Sequence, residues 1–180
     1  MPYLFEFTYH NPTQIVFGPN SFAKLGSLVP ADAKVLLLYG GGSIKGNGVY
    51  DKVMAALAGR EVVEFAGVEP NPTLETLSAA VDLAKRQKID FILGVGGGSV
   101  ADGAKYIACA ALYDGDGWDI VSGRHFPKVA LPVGIVLTLP ATGSESNVGA
   151  VVTRKATHEK RVFYVPPARP RFAILNPEVM

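Results

Sequence analysis

Two stretches of the chain bring glycine to the point where an apolar run gives way to a helix-like segment. Residues 35–53 read VLLLYGGGSIKGNGVYDKV and residues 91–108 read FILGVGGGSVADGAKYIA. Each sets Gly-Gly-Gly-Ser behind a short hydrophobic run. Glycine at such a turn permits positive φ and, lacking a Cβ, lets a ligand come up against the main chain. The helix that follows offers unpaired N–H groups and the positive end of its dipole, which together suit an anion. The amides of Gly97 and Gly98 and the hydroxyl of Ser99 are therefore placed to hold a phosphate. Asp102 lies one helical turn further on. A carboxylate there would repel a phosphate, so its expected partner is a hydroxyl of a sugar or polar substrate. Taken alone, a Gly-Gly-Gly-Ser run is equally a tight strand-to-helix turn. Two such turns, with Thr142-Gly143-Ser144 behind a third apolar run, favour a ligand.

The elements around these turns must place them together. The runs KVLLLY, EVVEFAGV, FILGV and VGIVLTLP have strand length, and the most apolar of them need cover on both faces, as in a parallel sheet. Between them lie helical segments. The clearest is PNPTLETLSAAVDLAKRQKID, with Asn71 as cap, Pro72 in the first turn, Glu75 at the positive end of the dipole and Leu74, Leu77, Val81 and Ala84 as its buried stripe. Further helices are expected from Asn20 to Val29, Val49 to Ala58 and Val100 to Ala111. The pieces YLFEFTYHNP and TQIVFG read as an opening β-hairpin, GAVVTR and KRVFYV as a second hairpin, and RFAILNP as a last strand. Alternating strands and helices predict an α/β fold: a Rossmann-like parallel sheet with helices on both faces. In such sheets ligands bind at the carboxyl ends of the strands, where all three glycine-containing loops fall. The spacing Gly94-x-Gly96-x-Gly98 differs from the common Gly-x-Gly-x-x-Gly dinucleotide fingerprint.

Composition narrows the class. The 180 residues suit one domain, 48% of them are hydrophobic, and the formal net charge is +1. A balance so near neutral gives no footing for a nucleic-acid partner or an anionic membrane. No stretch is long and apolar enough for a membrane span, and MPYLFEFTYHN lacks the marks of a signal peptide, so a cytoplasmic protein is expected. The single cysteine, Cys109, sits among alanines and reads as a small buried hydrophobe. His10, His125 and His158 are far apart and show no ligand spacing, so they read as surface or packing residues.

GVGGGSVADGAK (Gly94–Lys105) together with LTLPATGSESN (Leu137–Asn147) resembles the iron-containing, group III alcohol dehydrogenases. With YGGGSIKGNGVYDKV and EPNPTLETL added, the chain is most similar to their butanol dehydrogenase and NADPH-dependent aldehyde reductase branch. The likeness runs through essentially the whole chain. It implies that Gly40, Gly41, Gly42 and Ser43 surround the adenosine ribose of NADP(H), with Asn71 beside that half. It further implies that Gly97, Gly98 and Ser99 hold the pyrophosphate and that Asp102 lies near the nicotinamide ribose. Thr138, Leu139 and Thr142 would flank the adenine and phosphate, Val151 the nicotinamide side, and Lys160 would bond the nicotinamide ribose. By residue type alone, Thr138 and Thr142 equally satisfy loop backbone, and Lys160 is equally a solvated surface lysine. The end of VLLLY carries no acid to repel a phosphate on the adenosine ribose, while the glycine amides, Ser43 and Lys45 can attract one, so NADP(H) is the expected cofactor.

Members of the family are about twice as long, with a helical second domain whose aspartate and histidines bind Fe²⁺ or Zn²⁺. The resemblance implies that residues 1–180 are the NADP(H)-binding domain, with residues 3–18 as the opening hairpin and residues 165–180 leading toward that helical domain, which is absent from this chain. The expected function is the cofactor half of an oxidoreductase acting on a primary alcohol or aldehyde, without catalytic residues or a metal site of its own and incomplete as a catalyst. A homodimer is also expected, because family members meet near the opening hairpin. The other reading is a stand-alone nucleotide-binding module. A relation to sugar-phosphate cyclases or glycerol-phosphate dehydrogenases would share the glycine-rich sheet, but the Pro-Ala-Thr-Gly-Ser-Glu loop argues against it.

Overall fold

Hydrophobic strands flanked by amphipathic helices can be satisfied only if both faces of a sheet are covered, and this is the architecture found in the computed structural model, which describes residues 6–180. In chain order the strands are Gln14–Phe17 (β1), Lys34–Tyr39 (β2), Glu61–Phe65 (β3), Phe91–Gly97 (β4), Val133–Leu139 (β5), Gly149–Arg154 (β6), Glu159–Tyr164 (β7) and Phe172–Leu175 (β8). The helices are Phe22–Leu28 (α1), Ser43–Gly46 (α2), Val49–Ala56 (α3), Leu74–Gln87 (α4), Gly98–Ala110 (α5) and Trp118–Ser122 (α6). Six strands form one parallel sheet in the order β1-β8-β5-β4-β2-β3, and β6 and β7 form a separate antiparallel pair.

Alternation along β2 divides the core. Leu36 and Leu38 face α4 and α5, while Val35, Leu37 and Tyr39 face α1 and α3. Each fully buried aliphatic side chain of this kind contributes roughly 1.5–3 kcal/mol relative to exposure. Helix α5 is buried from Val100 to Ala110, because it lies between the sheet, α4 and the β6–β7 pair. Its small residues make that possible: a Cβ on Gly103 would come within 2.9 Å of Leu77 Cδ2. Cys109 is part of this packing, and burial pushes its thiol up to about 12, which removes thiolate reactivity at neutral pH.

Two expectations are corrected at the level of elements. Among the described residues there is no opening hairpin: β1 pairs in parallel with β8, Gln14 opposite Phe172, and residues 6–13 form no strand. The first residues assigned to that hairpin, Tyr3 to Phe5, lie outside the described residues. The cap of α4 is Thr73 rather than Asn71; its Oγ1 accepts the Thr76 amide at 3.3 Å. After a 3-10 turn at Pro166–Ala168, RFAILNP supplies the expected last strand, β8, which sits inside the sheet between β1 and β5. No helix among the described residues is long and apolar enough to cross a membrane.

Candidate functional site

The order of strands fixes where a ligand can enter. From β2 the chain moves outward to β3, then returns to place β4 on the other side of β2. The connections leaving β2 and β4 therefore diverge at their carboxyl ends, which is the switch-point crevice of a doubly wound sheet. Both glycine runs are there. Gly40, Gly41, Gly42 and Ser43 line one wall of a cleft of about 470 Å³, and Gly96, Gly97, Gly98 and Ser99 line the other. Thr138 and Leu139 at the end of β5, with Val68 and Pro70, complete it.

Local geometry explains the residue types. Gly42 has φ +95° where the chain turns into α2. Gly41 needs no positive φ, and a Cβ there would meet nothing within 4 Å, so its lack of a side chain leaves room for a ligand. Gly98 is close to the protein itself: its Cβ would lie 2.6 Å from Thr142 Oγ1. Gly97 precedes the first turn of α5, whose free amides open toward the cleft.

Other expected site residues lie around this cleft rather than in it. Asp102 is buried, and its carboxylate accepts from Ser144 Oγ and from the Val151 amide, so it clamps the 142–149 loop and β6 onto α5. Burial raises its pKa, and the Ser144 hydrogen bond opposes that rise. Thr142 packs on Gly98, and Oγ1 accepts the Ser144 amide at 3.2 Å. The Asn71 amide donates to Ser99 Oγ, and Lys160 Nζ donates to Asn71 Oδ1. Lys160 also borders a second cavity of about 520 Å³, between α6 and β7. Lys45 lies beside the first glycine turn, on a side cavity that shares Gly40, Gly41 and Gly42 with the main cleft.

Several participants were not legible from spacing. Lys105 is fully buried, with Nζ donating to the carbonyls of Ser144, Asn147 and Gly149 and to Asn147 Oδ1. Burial lowers its pKa to about 8. Glu75, placed in the sequence at the positive end of a helix dipole, also accepts the amides of Lys155 and Ala156 and so ties the β6–β7 turn to α4. Glu64 gathers Tyr39, Tyr50 and Lys45. Ser144 and Asn147 stand inside the quoted loop, but their buried partners are on a distant helix. Of the three histidines, His125 stacks on Tyr113 with ring centroids 4.0 Å apart. Among the described residues no three His, Cys, Asp or Glu side chains come together as a metal-binding group.

The same arrangement recurs in known proteins. The chain is 53% identical over 175 residues to the NADPH-dependent aldehyde reductase YqhD of Escherichia coli, a match covering 96% of this chain and 45% of that protein. It is equally 53% identical to a probable NADH-dependent butanol dehydrogenase of Bacillus subtilis, again covering 96% of this chain and 45% of the relative. The crystal structure of a butanol dehydrogenase from Thermotoga maritima superposes with a TM-score of 0.92 at 48% identity, covering 97% of this chain and 45% of that one. The chain thus spans less than half the length of these relatives. The family model for iron-containing alcohol dehydrogenase matches residues 12–177, nearly the whole chain. With its parallel sheet and paired glycine turns, this chain belongs to the iron-containing alcohol dehydrogenase family.

Proposed function

We propose that this chain is the dinucleotide-binding half of an oxidoreductase that moves a hydride between NADP(H) and a primary alcohol or aldehyde. The observation that carries the reading is the convergence of Gly40–Ser43 and Gly96–Ser99 on one cleft at the switch point between β2 and β4. A bound nicotinamide supplies the hydride acceptor or donor. The chain's own residues bind and orient it. Gly97, Gly98 and Ser99 give backbone and hydroxyl donors to the pyrophosphate. Gly40–Ser43 leave space for the adenosine ribose, with Lys45 next to it. Thr138 and Leu139 border the adenine side, and Val151 and Lys160 border the nicotinamide side, both carried on the hairpin that Asp102 fixes. The relatives' names as NADPH-dependent and NADH-dependent enzymes support a nicotinamide cofactor, and the local chemistry at Lys45 supports the phosphorylated one.

The described residues do not fit a catalytic metal, since no ligand cluster forms among them, so no metal-dependent step is assigned to this chain. Titration of the chain with NADPH and NADH, followed by nicotinamide fluorescence, tests the reading. Saturable binding of both, tighter for NADPH and weakened by salt, is expected. Failure to bind either contradicts it.

A further inference from the structure

Beside the first glycine turn, four side chains from separate elements form one cluster. Tyr39 ends β2, Lys45 is in α2, Tyr50 is in α3 and Glu64 is in β3. The Tyr39 hydroxyl donates to Glu64 Oε2 at 2.7 Å, and the Tyr50 hydroxyl donates to Oε1 at 2.6 Å. Lys45 Nζ reaches Oε2 at 3.3 Å and lies 5.3 Å and 4.6 Å from the centroids of the Tyr39 and Tyr50 rings. The hydrogen bonds from Tyr50 and Tyr39 hold the Glu64 carboxyl below its ordinary pKa, so it is anionic at neutral pH.

The cluster borders the side cavity of about 340 Å³ lined by Gly40, Gly41, Gly42, Lys45, Ala66 and Gly67. Because this cavity shares three glycines with the main cleft, a dinucleotide whose ribose sits on the first glycine turn would direct its ribose hydroxyls toward it. Lys45 lines that cavity, but its charge is already opposed by Glu64. The Lys45 side chain is 50% exposed. Such an exposed pair holds weakly and exchanges partners readily.

We propose that Glu64 sets the discrimination between phosphorylated and unphosphorylated adenosine ribose, by competing with the ribose phosphate for Lys45. The proposal rests on the dinucleotide reading above. A phosphate entering the side cavity draws Lys45 away from Glu64 and then faces the released carboxylate. An unphosphorylated ribose leaves the pair in place. The two tyrosines anchor the carboxylate, so it cannot swing aside. Glu64 therefore reduces a preference that Lys45 creates.

The test uses calorimetric titration of the whole chain with 2′,5′-ADP, which carries the ribose phosphate, and with 5′-AMP, which lacks it. Glu64→Gln keeps the shape and removes the charge; its amide oxygen accepts from one tyrosine hydroxyl and its NH2 donates to the other. It should tighten 2′,5′-ADP about tenfold and leave 5′-AMP within about twofold. Lys45→Met should weaken 2′,5′-ADP and erase the gain from Glu64→Gln in the double variant. Circular dichroism checks that each variant is folded, and Glu64→Ala provides a second neutral replacement. A shift of both probes alike, no shift at all, or a gain that persists without Lys45 overturns the proposal. If the unmodified chain binds NADPH and NADH but Glu64→Gln leaves the probe ratio unchanged, this inference falls alone. If it binds none of the four, the dinucleotide reading falls with it.

Discussion

Lys160 Nζ lies 2.6 Å from Asn71 Oδ1, and the Asn71 amide donates to Ser99 Oγ at 3.3 Å. One residue thus links the β6–β7 hairpin to the second glycine turn across 89 positions of sequence. Asn71 has φ +58°, a conformation that asparagine tolerates and alanine resists at a cost of about 1–2 kcal/mol. Asn71→Gly should keep the backbone and fold while weakening NADPH several-fold, because Lys160 loses its anchor. Asn71→Ala should lower the melting temperature as well. Thermal melts and cofactor titrations of the two variants together check this, and an Asn71→Gly chain with unchanged affinity would deny the link a role in binding.

Gly41 and Gly98 should respond differently to the same kind of substitution. A side chain at Gly41 enters open space at the cleft wall, so Gly41→Leu is expected to leave the melting temperature near that of the unmodified chain and to reduce the affinity of both cofactors at least tenfold. Gly98→Val drives a Cβ against Thr142 Oγ1 at 2.6 Å, so stability and binding should fall together. Melting curves alongside titrations separate the two cases.

What the sequence made legible was local. The glycine turns, the strand lengths and the helices follow from apolar runs and breakers within a few residues of each other. The links that assemble the site are not local. Asp102 reads in sequence as a ligand for a hydroxyl, yet its partners Ser144 and Val151 are 42 and 49 residues away, and burial between them turns it into a clamp. The segment TQIVFG looked like one arm of a hairpin because it follows Asn11-Pro12. Its actual partner, β8, begins opposite Gln14 at Phe172. Glu64 lies in an exposed strand position with no motif around it, and only the pairing of β2 with β3 brings it to Tyr39.

Replacement of Gly40 tests the first turn directly. A Cβ there would sit 3.2 Å from the Val68 carbonyl, so Gly40→Asp requires a small local shift. The new carboxylate would join Glu64 beside a single lysine. NADPH affinity should drop about tenfold while NADH, whose ribose hydroxyls can donate to an acid, is held or improved. Parallel titrations of the two cofactors decide it; a variant that still favours NADPH by the original ratio would show that the first turn does not read the ribose.

Lys105 gives the pH prediction. Burial lowers its folded-state pKa from 10.5 to about 8, while Asp102 and Glu145 pull it upward and Arg169 pushes it down further. Between about 8 and the unfolded value the unfolded chain binds the extra proton, so stability rises with pH across that window. Below about 8 both states carry the charge and the burial cost, roughly 3 kcal/mol, is present in full. Urea unfolding of the unmodified chain and of Lys105→Met at about pH 7 and about pH 9.5 should show the deficit of the methionine variant widening at the higher pH. Titrating groups remote from Lys105 are common to both chains and cancel in the difference.

The central claim is that one dinucleotide lies between the two glycine turns, and amide chemical-shift mapping on this 19.0 kDa chain tests it most directly. Addition of NADPH should move the amides of Gly40–Ser43, Gly96–Ser99 and Thr138–Leu139 together, with a single saturation curve. Shifts confined to the cavity between α6 and β7, or glycine turns that do not respond at saturating cofactor, would contradict the account.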